Sequence, residues 1–142
     1  KLQPVLDTLK TLRRSGIWFE IVCLVVPAYS DNLQNIRDLS TWIRDTLGPE
    51  VPVHFSRFNP QHKLQHLPAT PRRLLEDCRN TALEAGLHYV YLGNVPDHPG
   101  ESTYCPRCKK TVVKRSGFDV QEINLAGGKC TFCGNPIAGR WG

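Results

Sequence analysis

Four of the six cysteines in these 142 residues form two CxxC pairs, Cys105-Pro106-Arg107-Cys108 and Cys130-Thr131-Phe132-Cys133, with 21 residues between them. Each CxxC turn aims two sulfurs at one point, and a loop of that length can return the second pair to the first. A tetrahedral thiolate site needs both features. The loop is one residue longer than the usual zinc-ribbon range, which costs little closure entropy. Zinc is the expected ion; a rubredoxin-like iron and a pair of disulfides are the competing readings. Only the first pair has the CPxC form, and a lone redox iron would need an electron-transfer partner. A shell of four thiolates is closed to water and substrate, so the site is expected to be structural. The ribbon strands would be residues 110–114 and a stretch around 118–123. They hold too few apolar side chains to fold without the ion, so chelation is expected to melt 101–142 and spare the rest.

A second set of candidates is spread along the first hundred residues. Glu20 is a lone charge in an apolar stretch, and must be paired or hydrogen-bonded if buried. It is expected either to pair with an arginine or to stand as a polar group on a barrel's inner wall. His54 shares a face with Ser56 and Phe58 by the two-residue period of a strand, with Val53, Phe55 and Arg57 on the other. Arg57, Asn59 and His62, at the end of that strand and just beyond, suit a polar or anionic ligand. His66, His88 and His98 suggest no role, and Cys23 and Cys78 read as small core hydrophobes. No nucleophile–base pair, P-loop or glycine-rich dinucleotide fingerprint is present.

The elements that would carry these residues alternate helix and strand three times. Pro4 can open a helix with Val5, Leu9 and Leu12 on one stripe and Gly16 as its stop. Residues 17–27 (IWFEIVCLVVP) form a nearly continuous apolar run, the mark of a strand covered on both faces. Asp31 is the expected N-cap of a second helix with Leu33, Ile36, Leu39 and Ile43 on one side, ended by Gly48-Pro49. Residues 51–58 (VPVHFSRF) predict a second strand. Thr70-Pro71 predicts a cap and first-turn proline for a helix presenting Leu74, Leu75, Cys78, Ala82 and Ala85. Residues 88–94 (HYVYLGN) predict a third strand. The pattern implies right-handed βαβ units in a parallel sheet, with chemistry at the C-terminal strand ends.

The expected fold class is therefore α/β, the C-terminal part of a partial (β/α) barrel followed by a small ribbon. Its divisions are a barrel portion over 1–94, a linker over 95–100 and a four-cysteine ribbon over 101–142. Beginning on a helix with Lys1 suggests a piece of something longer. The net charge of +5 is concentrated in 101–142, where seven Lys/Arg face three acids. Basic groups there offset a four-thiolate site and need not signal nucleic acid. No membrane-length apolar run or signal peptide is present, and the cysteine usage points to a reducing, cytoplasmic setting.

The segments GIWFEIVCLVVPAYSDN, VPVHFSRFNPQHKL, GLHYVYLGN, TYCPRC and GKCTFCGNPIAGRW, in that order, resemble the C-terminal half of the AmmeMemoRadiSam-system radical SAM enzymes, also called pyruvate formate-lyase-activating-enzyme-related proteins. The resemblance spans essentially the whole chain. It implies a partial barrel that binds S-adenosylmethionine and a [4Fe–4S] cluster in the parent, and a radical reaction there. It also places the strands bearing Glu20, His54, Arg57 and Asn59 on the cofactor side. The family's CxxxCxxC cluster motif is absent from this chain, so the fragment alone is expected to be inactive. Asn59 stands where the family pattern has a second histidine. The implied partners are the parent's N-terminal barrel half and a protein substrate of the parent; a cut barrel edge is expected to self-associate. The other class is a zinc-ribbon binding module for nucleic acid or a protein, although base-stacking aromatics are sparse (Tyr104, Phe118, Phe132, Trp141).

Overall fold

The computed structural model describes residues 2–141. Three parallel strands, β1 (Ile21–Val25), β2 (Val53–Arg57) and β3 (Val90–Gly93), lie side by side in chain order. Helices α1 (Gln3–Arg14), α2 (Leu33–Thr46) and α3 (Arg72–Glu84) precede or connect them. Each strand sends alternate residues to opposite faces. On one face Val25, Val53, Phe55, Val90 and Leu92 pack against Ile36 and Ile43 of α2 and Leu75, Cys78 and Ala82 of α3. Leu9 adds a partial contact from α1, which has no fully buried residue.

The other face is open along β1 and meets the later residues of the chain only at β3. Val22 is 67% exposed and Leu24 50%, where the apolar run predicted a strand shielded on both sides. Strand β1 is also shorter than that run, because residues 17–20 lie outside the sheet's register with β2. The register aligns Val22, His54 and Tyr91 in one row of this face and Leu24, Ser56 and Gly93 in the next. Gly93 fits its row for a steric reason: a Cβ there would stand 2.6 Å from Ser56 Oγ.

Both expected helix caps differ. The N-cap of α2 is Asn32, whose side chain accepts from the Gln34 and Asn35 amides, while Asp31 accepts from the Ala28 amide. Pro71 precedes α3 with no side-chain cap. Thr70 instead stitches strand ends together: its buried hydroxyl donates to the Val25 carbonyl (2.6 Å) and accepts from the Phe58 amide (3.0 Å). A hydroxyl that joins two strand ends cannot also cap the helix.

Residues 95–100, expected as a linker, are docked. Val95 is buried in the main core, and Arg72 donates to the Pro96 carbonyl. His98 Nδ1 accepts from the Gly100 amide (2.9 Å), and its Nε2 meets Glu76 of α3 at 3.1 Å. Beyond a single 3-10 turn at Pro99–Glu101, strands β4 (Thr103–Tyr104), β5 (Thr111–Ser116) and β6 (Asp119–Ile123) form an antiparallel sheet. A short hairpin, β7 (Leu125–Ala126) and β8 (Lys129–Cys130), turns through Gly127 and Gly128, both at positive φ as a two-residue hairpin turn favours. Among the described residues no helix is long and apolar enough to cross a membrane.

Candidate metal centre

The two CxxC pairs adopt the same backbone course. In the first, the Lys109 amide donates to the Cys105 carbonyl and the Cys105 amide to the Lys110 carbonyl, both at 2.9 Å. In the second, the Gly134 amide donates to the Cys130 carbonyl (2.8 Å) and the Cys130 amide to the Asn135 carbonyl (2.9 Å). The residue closing each turn is left-handed: Lys109 at φ 61° and Gly134 at φ 71°. A glycine takes that conformation freely, whereas a lysine bears a Cβ clash.

These twin turns bring the four sulfurs within 4.8 Å of one another. Cys105 Sγ lies 3.6 Å from Cys133 Sγ, and Cys108 Sγ 3.7 Å from Cys130 Sγ. Both gaps are too long for a disulfide bond, which needs about 2.05 Å. They match the edge of a tetrahedron around one ion with metal–sulfur bonds of about 2.3 Å, roughly 3.8 Å. The donor set therefore fits a single four-coordinate ion. Cys105 and Cys130 are buried, Cys108 and Cys133 partly so. Against desolvation, which raises it, backbone N–H groups of Cys108 and Arg107 and the neighbouring thiols hold Cys105 down at about 7. The Asn135 amide pulls Cys133 down, but the three neighbouring sulfurs and burial push it up to about 11.

The centre is packed onto the parallel sheet. Tyr89, immediately before β3, is buried in one cluster with Cys105, Val112, Cys130 and Ile137, and its hydroxyl accepts from the Ala138 amide (3.2 Å). Two residues on, the Tyr91 hydroxyl meets Thr103 Oγ1 of β4 at 3.1 Å. Arg79 of α3 donates to the Val90 carbonyl (3.0 Å) and lies over the Tyr104 ring, 5.8 Å from its centroid. The ribbon thus lies against the β3 side of the sheet through both tyrosines. Period-two reading of HYVYLGN places Tyr89 and Tyr91 on one face; nothing local says that the ribbon returns to them.

The second candidate set divides. His54 Nε2 and Glu20 Oε2 are 2.7 Å apart on the open face, so Glu20 pairs with a histidine rather than an arginine. The Trp18 indole approaches the other Glu20 oxygen at 3.4 Å. The His54 ring stacks on Tyr91, centroids 4.8 Å apart. Burial raises the Tyr91 phenol and the Glu20 charge adds to this, while its bond to Thr103 and the Arg115 and Arg79 charges oppose it. Arg57 lies on the opposite side and donates to the Thr70 carbonyl (2.9 Å), while Asn59 is exposed past the strand end. The structure brings Glu20 and His54 together and leaves Arg57 and Asn59 apart from them. It adds Tyr91, Thr103 and Arg115, which sequence reading did not select.

Between the open face and the ribbon runs a cleft of about 520 Å³, bordered by Glu20, His54 and Tyr91 on one wall and Thr103, Arg115 and Phe118 on the other.

No family model matches the chain, and no solved structure matches it. The chain is similar to an uncharacterized protein of Methanocaldococcus jannaschii, with 47% identity over 138 residues. That alignment covers 96% of this chain and 41% of the archaeal protein, so the chain spans about two fifths of the length of the curated relative it matches.

Proposed function

We propose that this chain is the C-terminal part of a (β/α)-barrel radical SAM enzyme, closed by a zinc ribbon that has a structural role. The observation that carries the reading is the sheet face left open along β1. Parallel strands are ordinarily covered on both faces. Here one face packs on helices, while the other presents Val22 and Leu24 to solvent beside His54 and Tyr91, with Glu20 reaching His54 from before the strand. A helix-clad outside and a mixed, inward-pointing side is the layout of a barrel wall. Further support comes from the quoted sequence resemblance and from the length of the archaeal relative, which leaves room for the remaining strands.

In the parent, the cluster and S-adenosylmethionine would supply reductive cleavage to a 5′-deoxyadenosyl radical. The four ribbon sulfurs stand at single-ion separation, so they suit a structural ion and offer no open position to that cluster. The cluster's own cysteines would lie in a CxxxCxxC segment upstream. The contribution of this chain is to line the barrel: Glu20 fixes the His54 ring, the Tyr91 stack holds its plane, and the ribbon closes the β3 side against water. Arg57 and Asn59 would act at the strand end, separately from that pair.

The test is the longer protein, reconstituted anaerobically with iron and sulfide and reduced in the presence of S-adenosylmethionine. Formation of 5′-deoxyadenosine is expected. An upstream sequence without CxxxCxxC, or no nucleoside from a cluster-loaded preparation, refutes the reading. X-ray fluorescence on the purified chain should find one zinc per chain; a red, iron-loaded protein would overturn the zinc assignment.

A second reading, a metal-ribbon binding module, draws on one observation: Lys110 sits 4.6 Å over the half-exposed Phe132 ring, beside the second CxxC turn. Nucleic-acid affinity falling steeply with salt would favour it.

A further inference from the structure

The cleft between the sheet and the ribbon holds two unmet features that face the same space. The first is electrostatic. Of the charged groups bordering the cleft, Glu20 is paired with His54, and Glu101 accepts from the Gly117 amide at 3.2 Å. Arg115 has no carboxylate partner among the described residues, although its charge lies close enough to the Tyr91 phenol to be felt there. The second is apolar. Phe118, at the β5–β6 turn, is 103% exposed, as free of contacts as a side chain can be. A guanidinium with an open fork recruits a planar anion in a bidentate contact, and a bare aromatic ring recruits an apolar body.

The cleft's volume of about 520 Å³ falls in the range of small-molecule sites, and it lies where such sites concentrate, between two packed units. Two carboxylates, Glu20 and Glu101, share its border with Arg115, the one unpaired cation there among the described residues. They oppose a dianion such as a phosphate monoester more strongly than a monoanion.

We propose that this cleft binds a small monocarboxylate with an apolar or aromatic body, its carboxylate on Arg115 and its body between Phe118 and the Tyr91–His54 stack. The site is composite. Glu20, His54 and Tyr91 come from the sheet, and Thr103, Arg115 and Phe118 from the ribbon, so it exists only while the ribbon is folded on the sheet. The inference goes beyond the radical SAM reading but shares with it the wall of Glu20, His54 and Tyr91; the titration reads the cleft and 5′-deoxyadenosine formation reads the parent's reaction, so the two fail separately.

The experiment titrates the ¹⁵N-labelled, metal-loaded chain with 3-phenylpropionate, 3-phenylpropanol and 3-phenylpropylamine, which share a body and differ in charge. Fragments of this size reach roughly millimolar Kd at ordinary ligand efficiency. The acid should shift the Gly93, Thr103 and Gly117 amides and the Trp18 indole, and bind about tenfold more tightly than the alcohol, with the amine weakest. Arg115→Gln should abolish the preference for the acid without unfolding the ribbon, because the side chain is exposed. Phe118→Ala should weaken acid and alcohol alike. Equal binding of the three probes, an acid preference that survives Arg115→Gln, or no cleft shifts at about 10 mM probe would each overturn the proposal.

Discussion

Replacing Tyr89 with alanine tests whether the metal ribbon and the parallel sheet act as one unit. Tyr89 is buried among Cys105, Val112, Cys130 and Ile137, and its hydroxyl accepts the Ala138 N–H. Truncating a large buried aromatic costs about 3–5 kcal/mol. The neighbours it loses belong to the ribbon, so the loss falls on the holo protein. In the chelated protein the ribbon has too small a core to stay folded, and the same truncation costs little. The difference must appear as lost metal affinity, because binding and docking form one thermodynamic cycle. Assigning about 2–3 kcal/mol of the penalty to docked contacts predicts a 30- to 150-fold weaker metal affinity. Tyr89→Phe removes only the acceptor for Ala138 N–H, at about 1 kcal/mol, and should weaken the metal about fivefold. Competition against a chelator of known affinity measures both, with far-UV circular dichroism verifying that the helices persist. Unchanged affinity in Tyr89→Ala would refute the coupling and restore an independently folding ribbon.

Lys109→Gly should stabilise the metal-loaded protein by about 1 kcal/mol and Gly134→Ala destabilise it by at least as much, because both positions are left-handed; thermal melts decide. Thr70→Val should cost about 2–4 kcal/mol in denaturant titration, since it leaves the Val25 carbonyl and Phe58 amide unmet while keeping the shape. Burial, with help from the Asp77 and Asp31 charges, pushes the Cys78 thiol up to about 11 from 9.0. Its contribution is therefore fully present below pH 9 and lost as pH rises towards 11, so Cys78→Ala should flatten the alkaline fall in stability. A slope identical to wild type would contradict that assignment.

How much of this was legible in the sequence depended on the range of the interaction. The CxxC turns are local: two sulfurs, an i+4 amide and a left-handed closing residue are all specified within six positions, so the metal centre could be expected residue by residue. The helix–strand alternation was similarly local, carried by stripes such as Ile36–Ile43 and Leu75–Cys78–Ala82. The caps were less secure, because Asp31 and Thr70 had local and distant partners to choose between. The distant ones won for Thr70, whose hydroxyl bridges to a carbonyl 45 positions away.

By itself, then, the sequence determined the parallel α/β character, the helix faces and the four cysteines that could hold a metal ion. Only the tertiary structure decided that Glu20 meets His54 across 34 positions, that Arg57 turns to the Thr70 carbonyl, and that residues 95–100 reach Arg72 and Glu76 of α3. It also decided that the sheet stays open along β1 and that Tyr89 and Tyr91 anchor the ribbon at β3. The physical reason is one of range. Periodicity, turns and ligand spacing are set by neighbours a few residues apart. The partners of a side chain at a sheet–ribbon junction are set by how the whole chain returns on itself.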